Sequence, residues 1–167
     1  MSRRGVHDQI RVWANDPDAS EPNGEWLACT AAGFGALHAL AEGEGASDLP
    51  PRHWFLRAQC AIVRGASPLA GDQLIGHTPL HWCAWHGAPG VAAALLAAGV
   101  SPCSNRRGET PSDICRNMLR SASSPQRFKF LNTLALLDSQ AERKSLQTGI
   151  ASHGLDDPTR STRSTRL

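Results

Sequence analysis

The chain has few aromatic residues and no tyrosine. Five tryptophans and four phenylalanines are the only aromatic side chains among its 167 residues, a composition that suits short, closely packed helices. No apolar run approaches the roughly 20 residues that span a bilayer, and the first residues lack the apolar core of a secretory signal. We therefore expect no membrane span and a location in the cytoplasm or the nucleus.

The sequence is equally poor in patterns for disulfides, nucleic-acid binding or catalysis. Its five cysteines are odd in number and have no Cys-x-x-Cys spacing, which favours reduced thiols. A formal net charge of +2 does not by itself indicate nucleic-acid binding. The motifs Gly-x-Ser-x-Gly, His-Glu-x-x-His and Gly-x-x-x-x-Gly-Lys are absent. We therefore predict neither an enzyme nor a bound cofactor.

One segment carries a dense pattern of turn and helix signals: Gly-His-Thr-Pro-Leu-His-Trp-Cys-Ala-Trp-His-Gly at residues 76–87. Gly76 permits a positive φ in the turn, Thr78 caps the following helix and Pro79 begins it. Leu80 and Ala84 lie four residues apart, on one face of that helix. The segment therefore predicts a turn followed by a short helix with one buried face.

A second helix is predicted between Pro89 and Gly99, where apolar residues recur at helical spacing. Residues 71–102 as a whole resemble an ankyrin repeat, because they reproduce its Gly-x-Thr-Pro-Leu-His-x-x-Ala-x-x-Gly opening and its Leu-Leu-x-x-Gly ending. The resemblance implies an all-α fold, a short ankyrin-repeat solenoid of helix-turn-helix units, and a scaffold that binds rather than catalyses.

Further copies of this unit are expected, since one helix pair cannot bury its own apolar face and about three repeats make a stable array. Gly-Glu-Thr-Pro at 108–111 follows the first motif by 32 residues and indicates a C-terminal capping unit at 105–138, with its second helix at 128–137.

Two interpretations of the upstream residues remain open. A degenerate unit at 22–47, in which Gly33 ends the first helix as Gly87 does, could precede a unit that lacks one helix. Alternatively, helices at 25–41 and 52–64 form one expanded repeat. In either case we predict an ankyrin-repeat domain at 22–138 between polar, disordered segments at 1–21 and 139–167.

The resemblance also implies where a protein partner would bind, because ankyrin arrays usually bind through their finger-like turns and the exposed side of their first helices. Trp85 is the strongest candidate, since aromatic residues are enriched among interface hot spots; the alternative is that it covers a neighbouring helix. Arg106 and Arg107 could meet an acidic partner or form a solvated turn. The predicted binding residues are Leu74, Ile75, His77, Trp85, His86, Arg106, Arg107, Glu109 and Asn117.

A metal site is the competing interpretation of the histidines and cysteine around the first helix, which are His77, His81, Cys83 and His86. On a helix His81 and Cys83 point about 200° apart, so one ion does not reach both. The resemblance instead implies that His81 hydrogen-bonds the backbone of neighbouring turns. We predict no metal site.

We expect an adaptor that binds a partner protein, with a permanently assembled structural subunit of a larger complex as the main alternative and an enzyme or nucleic-acid binder built on the same scaffold as a third. The last three residues add a separate signal, since Thr165-Arg166-Leu167 resembles a PDZ-domain ligand, with Leu167 in an apolar pocket and Thr165 hydrogen-bonded. The Arg-x-x-Ser/Thr spacing nearby would also suit a basophilic kinase, and a low-complexity solubilising tail is the simplest alternative.

A peptide of residues 158–167 should bind a PDZ domain with a dissociation constant in the micromolar range, measured by fluorescence anisotropy against a broad panel of such domains. Amidation of the Leu167 carboxylate should abolish binding, because backbone N–H groups of the domain receive that charge. This assignment would be contradicted if no domain of the panel binds the peptide, or if the amidated peptide binds as tightly as the one with a free carboxylate.

Overall fold

The computed structural model describes residues 9–10, 12–14, 16 and 33–153, and these residues form helices and connections without a strand. The prediction of an all-α fold is therefore confirmed for this part of the chain. Within residues 33–153 the helices are α1 (Ala36–Ala46), α2 (Pro51–Val63), α3 (Pro79–His86), α4 (Pro89–Ala97), α5 (Pro111–Ser121) and α6 (Ser124–His153).

The helices lie in two rows. In the first row α1 packs on α3 and α3 on α5, and in the second row α2 packs on α4 and α4 on α6. The rows are joined because α1 contacts α2, α3 contacts α4 and α5 contacts α6. Each of these pairs is consecutive in the chain and has a short connection, so the core lies between the two rows.

Small residues let neighbouring helices approach closely, both within a row and between the rows. A Cβ atom on Gly90 of α4 would lie only 2.1 Å from the carbonyl oxygen of Pro51, and one on Gly43 of α1 would meet the Trp54 ring. Trp54 is fully buried. Glycine at these two positions is therefore required by backbone and ring contacts, and any larger side chain would separate the helices.

The N-terminal helix pair differs from both upstream interpretations. Gly33, Gly76 and Gly108 have φ values of +79°, +76° and +79°, and each stands three residues before the first residue of a first-row helix. Gly33 therefore stands at the position of Gly76, before a first-row helix, and not at the position that Gly87 has between the two helices of a pair. A continuous helix at 25–41 is also wrong, because residues 33–35 are not helical. From residue 33 onward, the described part of this region contains one helix pair, α1 with α2.

The ordered part of the molecule reaches beyond the predicted domain on both sides. α6 continues past residue 138 to His153. In the predicted disordered segment 1–21, Ile10 and Trp13 are helical and buried, and the Arg57 guanidinium of α2 lies 4.7 Å from the centre of the Trp13 ring. Burial of these apolar side chains favours helical structure in the N-terminal segment.

A histidine ring bridges each of the first two helix starts to the turn of the next unit. His38 Nδ1 accepts the Gly35 N–H (3.0 Å), and Nε2 lies 3.4 Å from the carbonyl oxygen of His77. His81 likewise accepts the Thr78 N–H (3.2 Å), with Nε2 at 3.3 Å from the carbonyl oxygen of Glu109. The backbone hydrogen bond expected of His81 is thus confirmed.

These contacts define the protonation state of both rings. Nδ1 must carry no proton in order to accept, so Nε2 carries the proton and donates to the carbonyl. Burial lowers the pKa of His38 to about 4 and also lowers the pKa of His81. At the third helix start the Asp113 carboxylate instead accepts the Thr110 N–H (3.0 Å).

A buried carboxylate joins the two rows. Glu44 of α1 accepts the N–H groups of Gly90 (2.7 Å) and Val91 (2.8 Å) in the first turn of α4. The helix N-terminus favours the charged form, yet burial raises the pKa of Glu44 to about 7. The Lys129 ammonium of α6 lies nearby and donates to the carbonyl oxygens of Glu44, Gly45 and Ser47 at the end of α1.

Replacing Glu44 by glutamine should change how the free energy of unfolding depends on pH. Because the folded pKa of Glu44 is raised, its contribution to stability is fully present below the unfolded pKa of about 4.5 and is lost as pH rises through about 7. Between pH 4.5 and pH 7.5 the free energy of unfolding of Glu44→Gln should therefore rise relative to that of the parent by up to about 3 kcal/mol. Urea unfolding curves across this range measure the difference, and parallel pH profiles would contradict it.

Replacing His38 by asparagine should have the opposite effect on how the free energy of unfolding depends on pH. The folded pKa of His38 is lowered, so the stability associated with the neutral ring is present above the unfolded pKa of 6.5 and is lost as pH falls towards about 4. At pH 7 the variant should be about 1 kcal/mol less stable than the parent, because it lacks the hydrogen bond to His77. On acidification its free energy of unfolding should fall less than that of the parent. If both proteins lose stability equally between pH 6.5 and pH 4, His38 is not the group that titrates.

Candidate functional site

The turn before α3 is held by one aspartate, and we call residues 72–77 the first finger. Asp72 Oδ1 accepts the N–H groups of Leu74 (3.0 Å), Ile75 (2.7 Å) and Gly76 (3.3 Å), and Oδ2 accepts that of His77 (3.0 Å). Burial opposes ionisation of Asp72, but these N–H groups outweigh it and lower its pKa. The first finger is therefore a rigid turn built around a carboxylate.

Residues 105–109 form the second finger, which Asn105 organises in the same way. Its Oδ1 accepts the N–H groups of Arg107 (2.8 Å) and Glu109 (3.0 Å), and its Nδ2 donates to Glu109 Oε2 (2.9 Å). The fingers are also bonded to each other, because Arg106 donates its backbone N–H to the carbonyl oxygen of Ile75 (2.8 Å).

A pocket of about 610 Å³ opens between the two fingers, α3 and α5, and we call it the finger pocket. Its size lies within the range of about 300–1,000 Å³ that is common for binding clefts. Its wall combines apolar and aromatic side chains with charged and amide groups. The lining residues are Asp72, Gln73, Leu74, Ile75, His77, Trp82, Trp85, His86, Arg107, Glu109, Ile114, Asn117 and Met118.

The structure brings eight of the nine predicted binding residues together in this pocket: Leu74, Ile75, His77, Trp85, His86, Arg107, Glu109 and Asn117. Arg106 is the exception. Its side chain turns away to contact Gly76 and to donate to the carbonyl oxygen of Gln73, so it braces the first finger.

Sequence reasoning missed the floor of the finger pocket. Trp82 is half-buried on α3, and Ile114 and Met118 are buried or half-buried on α5. The available signal was the spacing of Ile114, Asn117 and Met118, since residues three and four apart on a helix share a face. That face belongs both to the core and to the pocket, which is why a core interpretation alone hides it.

Two large apolar side chains at the mouth of the finger pocket are exposed. Leu74, at the tip of the first finger, is 88% exposed, and Trp85 of α3 is 50% exposed. Trp85 lies with its ring centre 6.5 Å from that of His77. Half of the Trp85 surface is therefore available to a partner, in contrast to the buried Trp54.

The residues weighed as metal ligands take part in ring stacking and backbone bonding. His77 stacks on His81 with ring centres 5.3 Å apart, and His86 stacks on Trp82 at the same distance. Cys83 is fully buried, and burial raises the pKa of its thiol. Within the described ranges, no three histidine, cysteine or acidic side chains are grouped as they would be around a metal ion.

Thr165 and Leu167, the predicted PDZ ligand, lie outside the described residues. In the part of the chain that is described, no helix is both long and apolar enough to cross a membrane. No protein-family model matches the chain, and no curated protein matches it in sequence.

Proposed function

We propose that this chain is an ankyrin-repeat adaptor, a non-catalytic module that binds a partner protein through the finger pocket. The observation that carries the proposal is the convergence of eight predicted binding residues on one pocket. Those residues come from two turns and two helices that are far apart in the sequence. Their meeting at a single cleft is expected of a binding surface.

The arrangement of helices supports the ankyrin-repeat part of the proposal. Two rows of helices with stacked pairs are what helix-turn-helix repeats produce. The glycines with positive φ at 33, 76 and 108 supply an equivalent turn before each first-row helix. In this proposal α1 with α2, α3 with α4 and α5 with α6 are three repeats, and the last is the C-terminal cap.

The pocket chemistry favours recognition over catalysis. Asp72 and Glu109 are engaged in the hydrogen bonds that hold the fingers, and His81 bridges two units. The two carboxylates that line the pocket are thus used to build the turns, and His81 to join one unit to the next. The adaptor would act in the cytoplasm or the nucleus, and the Thr165–Leu167 ending would be a second, separate ligand for a PDZ domain.

The alternative function, a permanently assembled subunit, depends on an uncovered apolar face at the N-terminal end of the array. Trp13 and Ala14 lie against α2 there, where His53 Nε2 is within hydrogen-bond distance of the carbonyl oxygen of Ala14. Trp13 is only 4% exposed. This cover reduces the need for a permanent partner and favours the adaptor.

Trp85→Ala should weaken binding to the cellular partner about 30-fold, because an exposed aromatic residue at the mouth of a pocket has the character of an interface hot spot. The melting temperature should change little. Quantitative mass spectrometry after affinity purification of the full chain identifies the partner, and titration calorimetry with that partner measures the loss.

Leu56→Ala is the matched control. Leu56 lies on α2 in the opposite row and is 54% exposed, close to the exposure of Trp85, but it is not part of the finger pocket. It should bind the partner like the parent. If Trp85→Ala binds equally well, or if it lowers the melting temperature strongly, the finger pocket is not the binding site and Trp85 acts in packing.

A further inference from the structure

We infer that the occupant of the finger pocket is a linear segment of a partner protein that carries a large apolar side chain next to a carboxylate. The apolar side chain enters the pocket, and the carboxylate pairs with Arg107. This inference rests on the proposed function and specifies the chemistry of the partner.

The walls and floor of the finger pocket favour an apolar side chain on the partner. Ile75, Trp82, Ile114 and Met118 present apolar surface to the cavity, and Leu74 stands exposed at its mouth. A volume of about 610 Å³ exceeds that of any one side chain and leaves room for the adjoining backbone. Inserting an apolar side chain would remove both its own surface and that of Leu74 from water.

A carboxylate on the partner is favoured because the charged side chains at the rim differ in their hydrogen bonding. The two acidic side chains there are already engaged, since Asp72 accepts four backbone N–H groups and Glu109 accepts the Asn105 amide. The exposed Arg107 side chain has no hydrogen bond or ion pair to any residue that the structure describes. A guanidinium presents paired donors that fit a carboxylate.

The geometry favours a linear segment because the receiving surface is already rigid. The fingers are fixed by their own hydrogen bonds and by the bond from Arg106 N to Ile75 O. A preformed site imposes little ordering cost on the receptor, which leaves the cost of ordering the peptide as the main loss. An extended segment of a few residues can meet that cost with one anchored side chain and one charge pair.

Selection of a phage-displayed library of random dodecapeptides on the immobilised full chain tests this inference. The enriched peptides should share a large apolar residue with aspartate or glutamate within a few positions. Fluorescence anisotropy with the best peptide should give a dissociation constant in the micromolar range. Trp85→Ala should weaken it about 30-fold, as expected of a hot spot.

Charge reversal identifies the contact of Arg107. Arg107→Glu should weaken the peptide at least about tenfold, and replacing the peptide carboxylate by lysine should restore binding to that variant alone. Arg52→Glu makes the same change in net charge on α2, outside the finger pocket, and should leave the affinity within about twofold of the parent. Circular dichroism melting of each variant reports whether it is folded.

Three results would overturn the inference. Enriched peptides that are basic, or apolar without an acid, would contradict the pairing with Arg107, as would equal effects of Arg107→Glu and Arg52→Glu. A library without binders would show that the partner presents a folded surface. The proposed function is tested separately, by the affinity of Trp85→Ala for the cellular partner. It stands if that affinity is lower than that of the parent, whatever the peptide library gives, and it is wrong if the two affinities are equal.

Discussion

The position of both fingers depends on neutral histidine rings. His38 and His81 each accept a backbone N–H at a helix start and donate to a carbonyl of the next turn, which is that of His77 for the first finger and Glu109 for the second. A ring that is charged cannot accept at Nδ1. The contacts that stack one unit on the next therefore also position the pocket: that of His38 holds the first finger on the preceding unit, and that of His81 joins the start of α3 to the second finger.

Much of this was predictable from local chemistry. The Gly-x-Thr-Pro motif at 76–79 and its copy at 108–111 predict two equivalent turns and helix starts, and the structure has helices beginning at Pro79 and Pro111. Glycine φ, proline at the first helical position and threonine at the cap act within a few residues of each other. Such signals can be read without knowledge of the rest of the fold.

Other features depend on distant partners and leave no local signal. Gly33 begins a turn like that of Gly76, but Gly35-Ala36 stands where the motif has Thr-Pro, so the register was not recognised. Glu44 is a buried acceptor for α4, 46 residues further along the chain. The half-buried Trp82 serves the core and the pocket at once. These roles are fixed by which helices meet, which only the assembled rows determine.

Lys129 fixes the spacing between the first and the last described units of the array. An open solenoid can gain or lose units at its ends, because each unit touches only its neighbours. Here the ammonium of the last helix reaches back to the carbonyl oxygens of Glu44, Gly45 and Ser47 in the first described unit. A repeat inserted before α6 would carry Lys129 away from those carbonyls. The number of units between these two elements is thus tied to one side chain, and duplication of a repeat between them would be a change of architecture as well as of length.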